Sequence, residues 1–407
     1  MSLDSDLPGE GVITRPKGFR AAGVHCGLKS VAGRPDLGLL VADVPAAAAG
    51  LFTTNRICSP AVTVSREHLA AGILRGVVVN AGNANACTGE QGYADALRMT
   101  ELAAGATGCA AGQFAVASTG IIGHPLPMKK VETGIASAAS KLSGESSGGL
   151  EFSRAICTTD RWVKESLRTL KMGGFDLTVA GSAKGAGMIS PKMATMLCFL
   201  TTDASIKPGL LQEMTTAAVA ATFNRTTVDG DMSTNDTIIV LASGLGGAAP
   251  VRKGSREAKT LAQAIEEVCL DLAKSVARDG EGARKLVTVH VTGAADDDEA
   301  ERAARQICNS PLVKTAMYGS DPNWGRIVAA AGSTGIRMEE SRTVLRIGSE
   351  VIFDHGVPKI PTKSILAHMK SEAVEIALDL GLGKGSAVMY TCDLGHDYVT
   401  LNAEYHT

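Results

Sequence analysis

Short apolar runs of strand length alternate along this chain with longer windows of helical spacing, and that alternation points to a mixed α/β fold. The strand-like runs are 39–44, 76–80, 114–117, 195–200, 237–242, 286–291, 344–352, 387–392 and 398–402. The helical windows are 93–104, 128–142, 210–221, 258–277, 298–308 and 363–380. Leu261, Ile265, Val268, Leu272 and Val276 recur at three- and four-residue intervals, which gives one helix an apolar face to lay on a sheet. Aromatic residues make up only 4% of the chain, so its cores are expected to be aliphatic. The Ser- and Gly-rich stretches 141–149 and 244–254 read as loops, and neither divides the 407 residues into separate domains.

Charge and cysteine usage remove several classes of function. A net charge of −2 without a basic run argues against nucleic acid as a partner. Nine cysteines, an odd number with no Cys-x-x-Cys pair, read as reduced intracellular thiols. The first residues carry neither the basic nor the apolar segment of a secretory signal, and no apolar run is long enough to span a bilayer. A cytoplasmic enzyme with no membrane partner is the expectation.

Chemistry concentrates at residues 184–197, where a loop rich in small residues meets the apolar run Met196-Leu197-Cys198-Phe199-Leu200. Gly185 and Gly187 open backbone geometries closed to other residues, Pro191 biases Ser190 toward extended conformations, and Ala194 leaves its carbonyl uncrowded. Cleavage between Ala194 and Thr195 would give Thr195 a free α-amine beside its own hydroxyl, a nucleophile and a base in one residue. The plainer reading is a β-branched residue opening a core strand. A second segment, Ala117-Ser118-Thr119-Gly120-Ile121, follows a strand-like run and puts a hydroxyl next to a glycine amide. Such a pair can converge on a developing oxyanion, although an ordinary strand-end turn has the same composition.

Taken together, the motifs resemble the ornithine acetyltransferase (glutamate N-acetyltransferase) family of arginine biosynthesis. They run almost end to end: Gly18-Phe19-Arg20-Ala21-Ala22-Gly23-Val24, Phe52-Thr53-Thr54-Asn55, 80–89, the Thr119-Gly120 segment, the 184–197 loop, 223–237, Arg278-Asp279-Gly280-Glu281-Gly282-Ala283, Asp321-Pro322-Asn323-Trp324-Gly325-Arg326-Ile327 and Asn402-Ala403-Glu404-Tyr405. The resemblance implies a layered αββα sandwich of the self-cleaving N-terminal-nucleophile type. It implies cleavage into an α chain, 1–194, and a β chain, 195–407, intertwined and assembled as two α and two β chains. By the same resemblance Thr195 is the nucleophile, Thr119 and Gly120 form the oxyanion hole, and Thr158, Lys184, Thr195, Glu281, Asn402 and Thr407 contact substrate. Without it, Glu281 reads as a solvated surface charge, Lys184 as a snorkelling lysine and His124 as a surface-loop histidine.

The reaction so implied moves acetyl from N-acetylornithine to glutamate by a ping-pong route through acetyl-Thr195, with no metal or organic cofactor. Acetyl-CoA as a further acetyl donor is left open, as is a specialised-metabolism isoenzyme. The rival classes are an N-terminal-nucleophile amidase or aminopeptidase, in which water resolves the acyl-enzyme, and a processed protein that only binds an acylated amino acid. The chain departs from the family pattern at Lys192, where a small, acidic or amide residue is expected. An inward-facing cation there would lower the pKa of the new α-amine.

Overall fold

The computed structural model describes residues 9–31, 33–190 and 196–404. Ala194, Thr195 and Thr407, together with Lys192, lie outside the described residues.

The first sheet contains β1 (Phe19–Val24), β2 (Leu37–Phe52), β3 (Ile73–Asn83), β4 (Phe114–Ile121), β5 (Lys164–Met172), β6 (Phe175–Lys184), β7 (Leu197–Thr202) and β8 (Thr237–Ala242). Its order is β4-β3-β2-β8-β7-β6-β5, with β1 paired to β2. Strand β2 is the hinge of this sheet. A register shift between Val41 and Ala46 lets its first half pair with β1 and β3 while its second half pairs with β8.

Because side chains alternate along a strand, the two wings of the sheet each have an inner and an outer face. Leu40, Ala42, Leu74, Val77 and Ala115 from one wing join Leu197, Phe199, Ile239 and Leu241 from the other in one apolar cluster, so two β layers face each other. Helices α1 (Pro60–Leu69), α2 (Gly89–Thr107) and α3 (Met128–Ser140) cover the outer face of the first wing through Val64, Met99, Val131 and Ile135. Helix α4 (Ser146–Ile156) sends Phe152 into the inner cluster, where its ring meets that of Phe199 edge-on at 5.4 Å. Helices α5 (Pro208–Ala221) and α6 (Arg256–Arg278) cover the second wing. The expected apolar stripe of α6 is there, with Leu261, Ile265, Val268, Leu272 and Val276 all buried. The layers are α, β, β and α, the expected sandwich.

A second, six-stranded sheet follows, built from β9 (Leu286–Ala294), β10 (Val344–Ile347), β11 (Glu350–Asp354), β12 (Val357–Pro358), β13 (Ala373–Asp379) and β14 (Gly385–Cys392). Helices α7 (Asp297–Asn309), α8 (Pro311–Tyr318), α9 (Trp324–Gly332) and α10 (Lys363–Met369) share its core, and α11 (His396–Glu404) ends the described chain. Three sequence expectations are corrected. The run 344–352 is not one strand but a hairpin that turns at Gly348, whose φ is 59°. The helical window 363–380 is α10 followed by β13, and the strand expected at 398–402 is part of α11. Among the described residues no helix is long and apolar enough to cross a membrane.

Candidate active site

The parallel strands β3 and β4 end together, and their register shifts at Gly82 and Asn83. At this irregularity Gly120 has φ 134°, and a Cβ there would stand 2.3 Å from the Gly82 carbonyl carbon, so the position accepts only glycine. Side-chain amides hold the shape: Asn80 Nδ2 donates to Asn83 O (2.8 Å), and Asn235 Nδ2 donates to both Ala84 O (2.6 Å) and Ser118 O (2.8 Å). The Asn-rich motif at 80–85 thus serves as scaffolding for the Thr119-Gly120 turn. His124 is exposed, and its carbonyl accepts from Asn83 Nδ2, which fits the surface-loop reading.

Lys184 ends β6 beside this turn. It is 3% exposed, and its Nζ donates to Thr119 Oγ1 at 3.1 Å. Burial lowers its pKa, with the charge of Asp160 partly offsetting that. Because the ammonium donates in this contact, the Thr119 hydroxyl keeps its own proton for another acceptor. Lys184 is therefore a buried group of the cleft, not a snorkelling surface lysine.

Glu281 stands across the cleft, in the turn after α6. Its amide donates to Ala186 O at 2.8 Å, and its carboxylate accepts from Thr159 Oγ1 (2.9 Å) and Asn402 Nδ2 (2.9 Å). A Cβ at Gly187 would come within 2.5 Å of Glu281 Oε2, so any larger residue there would displace the Glu281 carboxylate from its place in the cleft. Thr119, Gly120, Thr158, Lys184, Glu281 and Asn402 all line this one pocket. The structure thus gathers every expected site residue that it describes, from five segments far apart in sequence. A buried cation and a carboxylate in one cleft can engage the carboxylate and the ammonium of an amino acid.

Several neighbours of this cleft escaped the sequence reading. Thr159 and Asn235 line the pocket, and Asp160, one residue further on, lies fully buried behind it. Asp229 accepts the amides of Met188 (2.6 Å) and Ile189 (2.8 Å), fixing the left-handed Met188 (φ 55°) just ahead of the loop. Burial raises the Asp229 carboxyl, and those amides hold the rise back. Asp236, also fully buried, accepts the Met196 amide at 3.1 Å, while its second oxygen has no partner among the described residues. The nearby Thr53 hydroxyl donates to Ser233 O instead (2.7 Å). Burial pushes the Asp236 carboxyl well above its ordinary value, against the opposing pull of the Met196 amide and the Lys184 charge. In the sequence Asp229 and Asp236 lie inside the 223–237 motif without being marked as site residues, and Asp160 is marked only by standing two residues after Thr158.

Among the described residues no cluster of His, Cys, Asp and Glu is arranged to hold a metal ion. The profile of the ArgJ family matches residues 20–407. The arginine biosynthesis bifunctional protein ArgJ of Symbiobacterium thermophilum is 45% identical over 399 residues, which cover 98% of this chain and 99% of that protein. Its counterpart from Thermosynechococcus vestitus is 43% identical over 415 residues, covering 98% of each. A crystal structure of the Bacillus halodurans ArgJ protein aligns at TM-score 0.49 and 44% identity, over 51% of this chain and 98% of that one. With a family profile over almost its whole length and relatives of this identity from end to end, the chain belongs to the ArgJ family.

Proposed function

We propose that this protein is the acyltransferase of arginine biosynthesis that moves acetyl from N-acetylornithine to glutamate. The observation that carries the reading is the cleft itself, in which Lys184 contacts the Thr119 hydroxyl (3.1 Å) while Glu281 faces the same space. Lys184 and Thr158 suit the α-carboxylate common to both substrates, and Glu281, held by the Asn402 amide, suits the side-chain ammonium of ornithine.

In the first half-reaction Thr195 Oγ attacks the acetyl carbonyl, its proton passing to the Thr195 α-amine and then to the departing ornithine amine as the C–N bond breaks. The Thr119 hydroxyl and Gly120 amide stabilise the oxyanion. In the second, the glutamate amine attacks the acetyl ester and N-acetylglutamate leaves, regenerating the Thr195 hydroxyl. This scheme needs cleavage between Ala194 and Thr195, giving chains 1–194 and 195–407 that assemble as two of each, and it takes Thr407 as a further substrate contact. Neither a metal nor a cofactor enters the scheme. Acetyl-CoA as an alternative donor belongs to the same site, and a cytoplasmic setting supplies both amino acids.

Intact mass spectrometry after incubation with N-acetylornithine tests the reading. Two fragments joining at 194/195, with one acetyl added to the C-terminal fragment, are expected, followed by N-acetylglutamate and not acetate when glutamate is added. Free acetate formed without glutamate would instead identify an amidase. Thr195→Ala should abolish both cleavage and transfer, and normal turnover by that variant would remove Thr195 from the mechanism.

A further inference from the structure

Three segments bring charged and polar groups to the cleft, and all three meet on a single buried ion cluster behind it that the proposed chemistry leaves unused. Asp160 lies at its centre, fully buried. One carboxylate oxygen accepts the Thr158 amide (2.8 Å), and the other accepts the Gly185 amide (2.8 Å) and Lys164 Nζ (2.5 Å). Lys164, also buried, reaches on to Asp279 at 2.6 Å, and Asp279 lies two residues before Glu281. Arg161 closes the cluster from outside through Asp279 Oδ1 (2.8 Å). Thr158, Lys184 and Glu281, which form three walls of the pocket, are thereby tied to one carboxylate–ammonium–carboxylate chain.

We propose that Asp160 is a positioning residue for acetyl transfer: it fixes the Thr158 and Gly185 backbone and supplies the countercharge that keeps the neighbouring Lys184 an ammonium inside the cleft. The inference rests on the proposed function and specifies how its carboxylate-binding cation is held. A buried lysine loses its proton unless an opposite charge compensates for lost hydration. The groups acting on Lys184 are Asp160 and Cys157 from the segment after α4, Lys164 of β5, Glu281 after α6 and Asp236 before β8. Burial keeps the Cys157 thiol protonated, pushing its pKa up to about 12, which leaves it neutral at working pH. Asp160 is the carboxylate that also touches the Lys184 segment directly, through Gly185. Burial alone would raise the Asp160 carboxyl, but the charges of Lys164 and Lys184, with hydrogen bonds from Lys164 Nζ and the Gly185 amide, hold it well below the usual carboxylate range, so it stays charged throughout.

The test is the pH profile of kcat/KM for N-acetylornithine in the wild type, Asp160→Asn and Asp160→Glu, each checked for two-fragment processing and for thermal unfolding. Wild-type turnover establishes the substrate reading independently. The donor's own ammonium titrates alike in all three proteins, so a difference between them belongs to the enzyme. Asp160→Asn removes the countercharge, and its alkaline limb should move down by about one pH unit. Asp160→Glu keeps the charge but displaces the amides, so its limb should stay in place while KM rises roughly tenfold. A limb that stays put in Asp160→Asn, with only a uniform loss of rate and thermal stability, would reduce Asp160 to a fold-holding residue. Should Asp160→Asn fail to fold or process, a wild-type KM in Asp160→Glu overturns the proposal alone.

Discussion

Gly120 shows how narrowly one position can be specified. At φ 134°, with the Gly82 carbonyl carbon 2.3 Å from where a Cβ would sit, an alanine must push β3 and β4 apart at the point where the proposed oxyanion donors lie. Gly120→Ala is expected to lower kcat by more than about a hundredfold, and Thr119→Ala by about a hundredfold through loss of its hydroxyl. Steady-state rates on processed protein decide, and an unaffected Thr119→Ala would move the donor elsewhere. Asp236 makes a different prediction because its folded pKa is raised. A buried carboxyl that holds its proton in the folded state contributes stability present at low pH and lost as pH rises through the folded pKa. The isosteric Asp236→Asn keeps an oxygen for the Met196 amide, 3.1 Å away, and has no charge to bury. It should unfold at a higher temperature than the wild type at pH 7, and the gap should close toward pH 4. A gap that stays constant between pH 4 and pH 7, read by calorimetry, would mean that this carboxyl is already charged in the fold over that range.

Helix α11 has no buried residue, and is held by Asn402 on Glu281 (2.9 Å), by the Tyr398 hydroxyl on Asp229 (3.4 Å) and by a loose Arg284–Asp397 pair (3.8 Å). An element so attached contributes little to global stability. Asn402→Ala should therefore raise KM for N-acetylornithine several-fold with less than about 1 kcal/mol of destabilisation, and a large fall in the unfolding midpoint would show that α11 is structural. The same helix marks a limit of the sequence. Tyr398-Val399-Thr400-Leu401-Asn402 is rich in strand formers, but no sheet edge takes it up, and local hydrogen bonds such as Asn402 Nδ2 to Tyr398 O (3.0 Å) accompany helix instead. The region 363–380 reads as one helix because its apolar residues fit either period, whereas pairing with β9 turns its second half into β13. Strands β5 and β6 passed unread because β5, Lys164–Met172, opens on three polar residues and buries Lys164 and Ser166, so no apolar alternation marks it as a strand. Elements with a strong single period, such as α6 and β4, were legible. In the cleft, Thr119, Gly120, Lys184 and Glu281 were legible through their motifs, whereas Asp160 and Asp236 were not, because their roles arise only when distant segments meet.

Strand order decides what a cut between 194 and 195 would do to the molecule. Strands β7 and β8, which follow the cut, lie between β2 and β6, which precede it, so the sheet alternates between the two proposed fragments. Lys184 pairs with Leu197 in the β6–β7 ladder and Phe52 with Thr237 in the β2–β8 ladder, so hydrogen bonds cross from one fragment to the other on both sides. Between the layers, Phe152 of the first fragment meets Phe199 of the second at 5.4 Å. Separating the fragments would open the cluster between the layers and strip two ladders, a cost far above the few kcal/mol of a surface contact. The processed protein should therefore run as two bands on a denaturing gel yet elute as one species under native conditions and unfold in a single transition. Phe199→Ala, which removes the ring from this shared core, should lower stability by about 3–5 kcal/mol without preventing the cut. Two separable transitions in the processed wild type would contradict the interleaved sheet, because a core built from both fragments has no half that can melt alone.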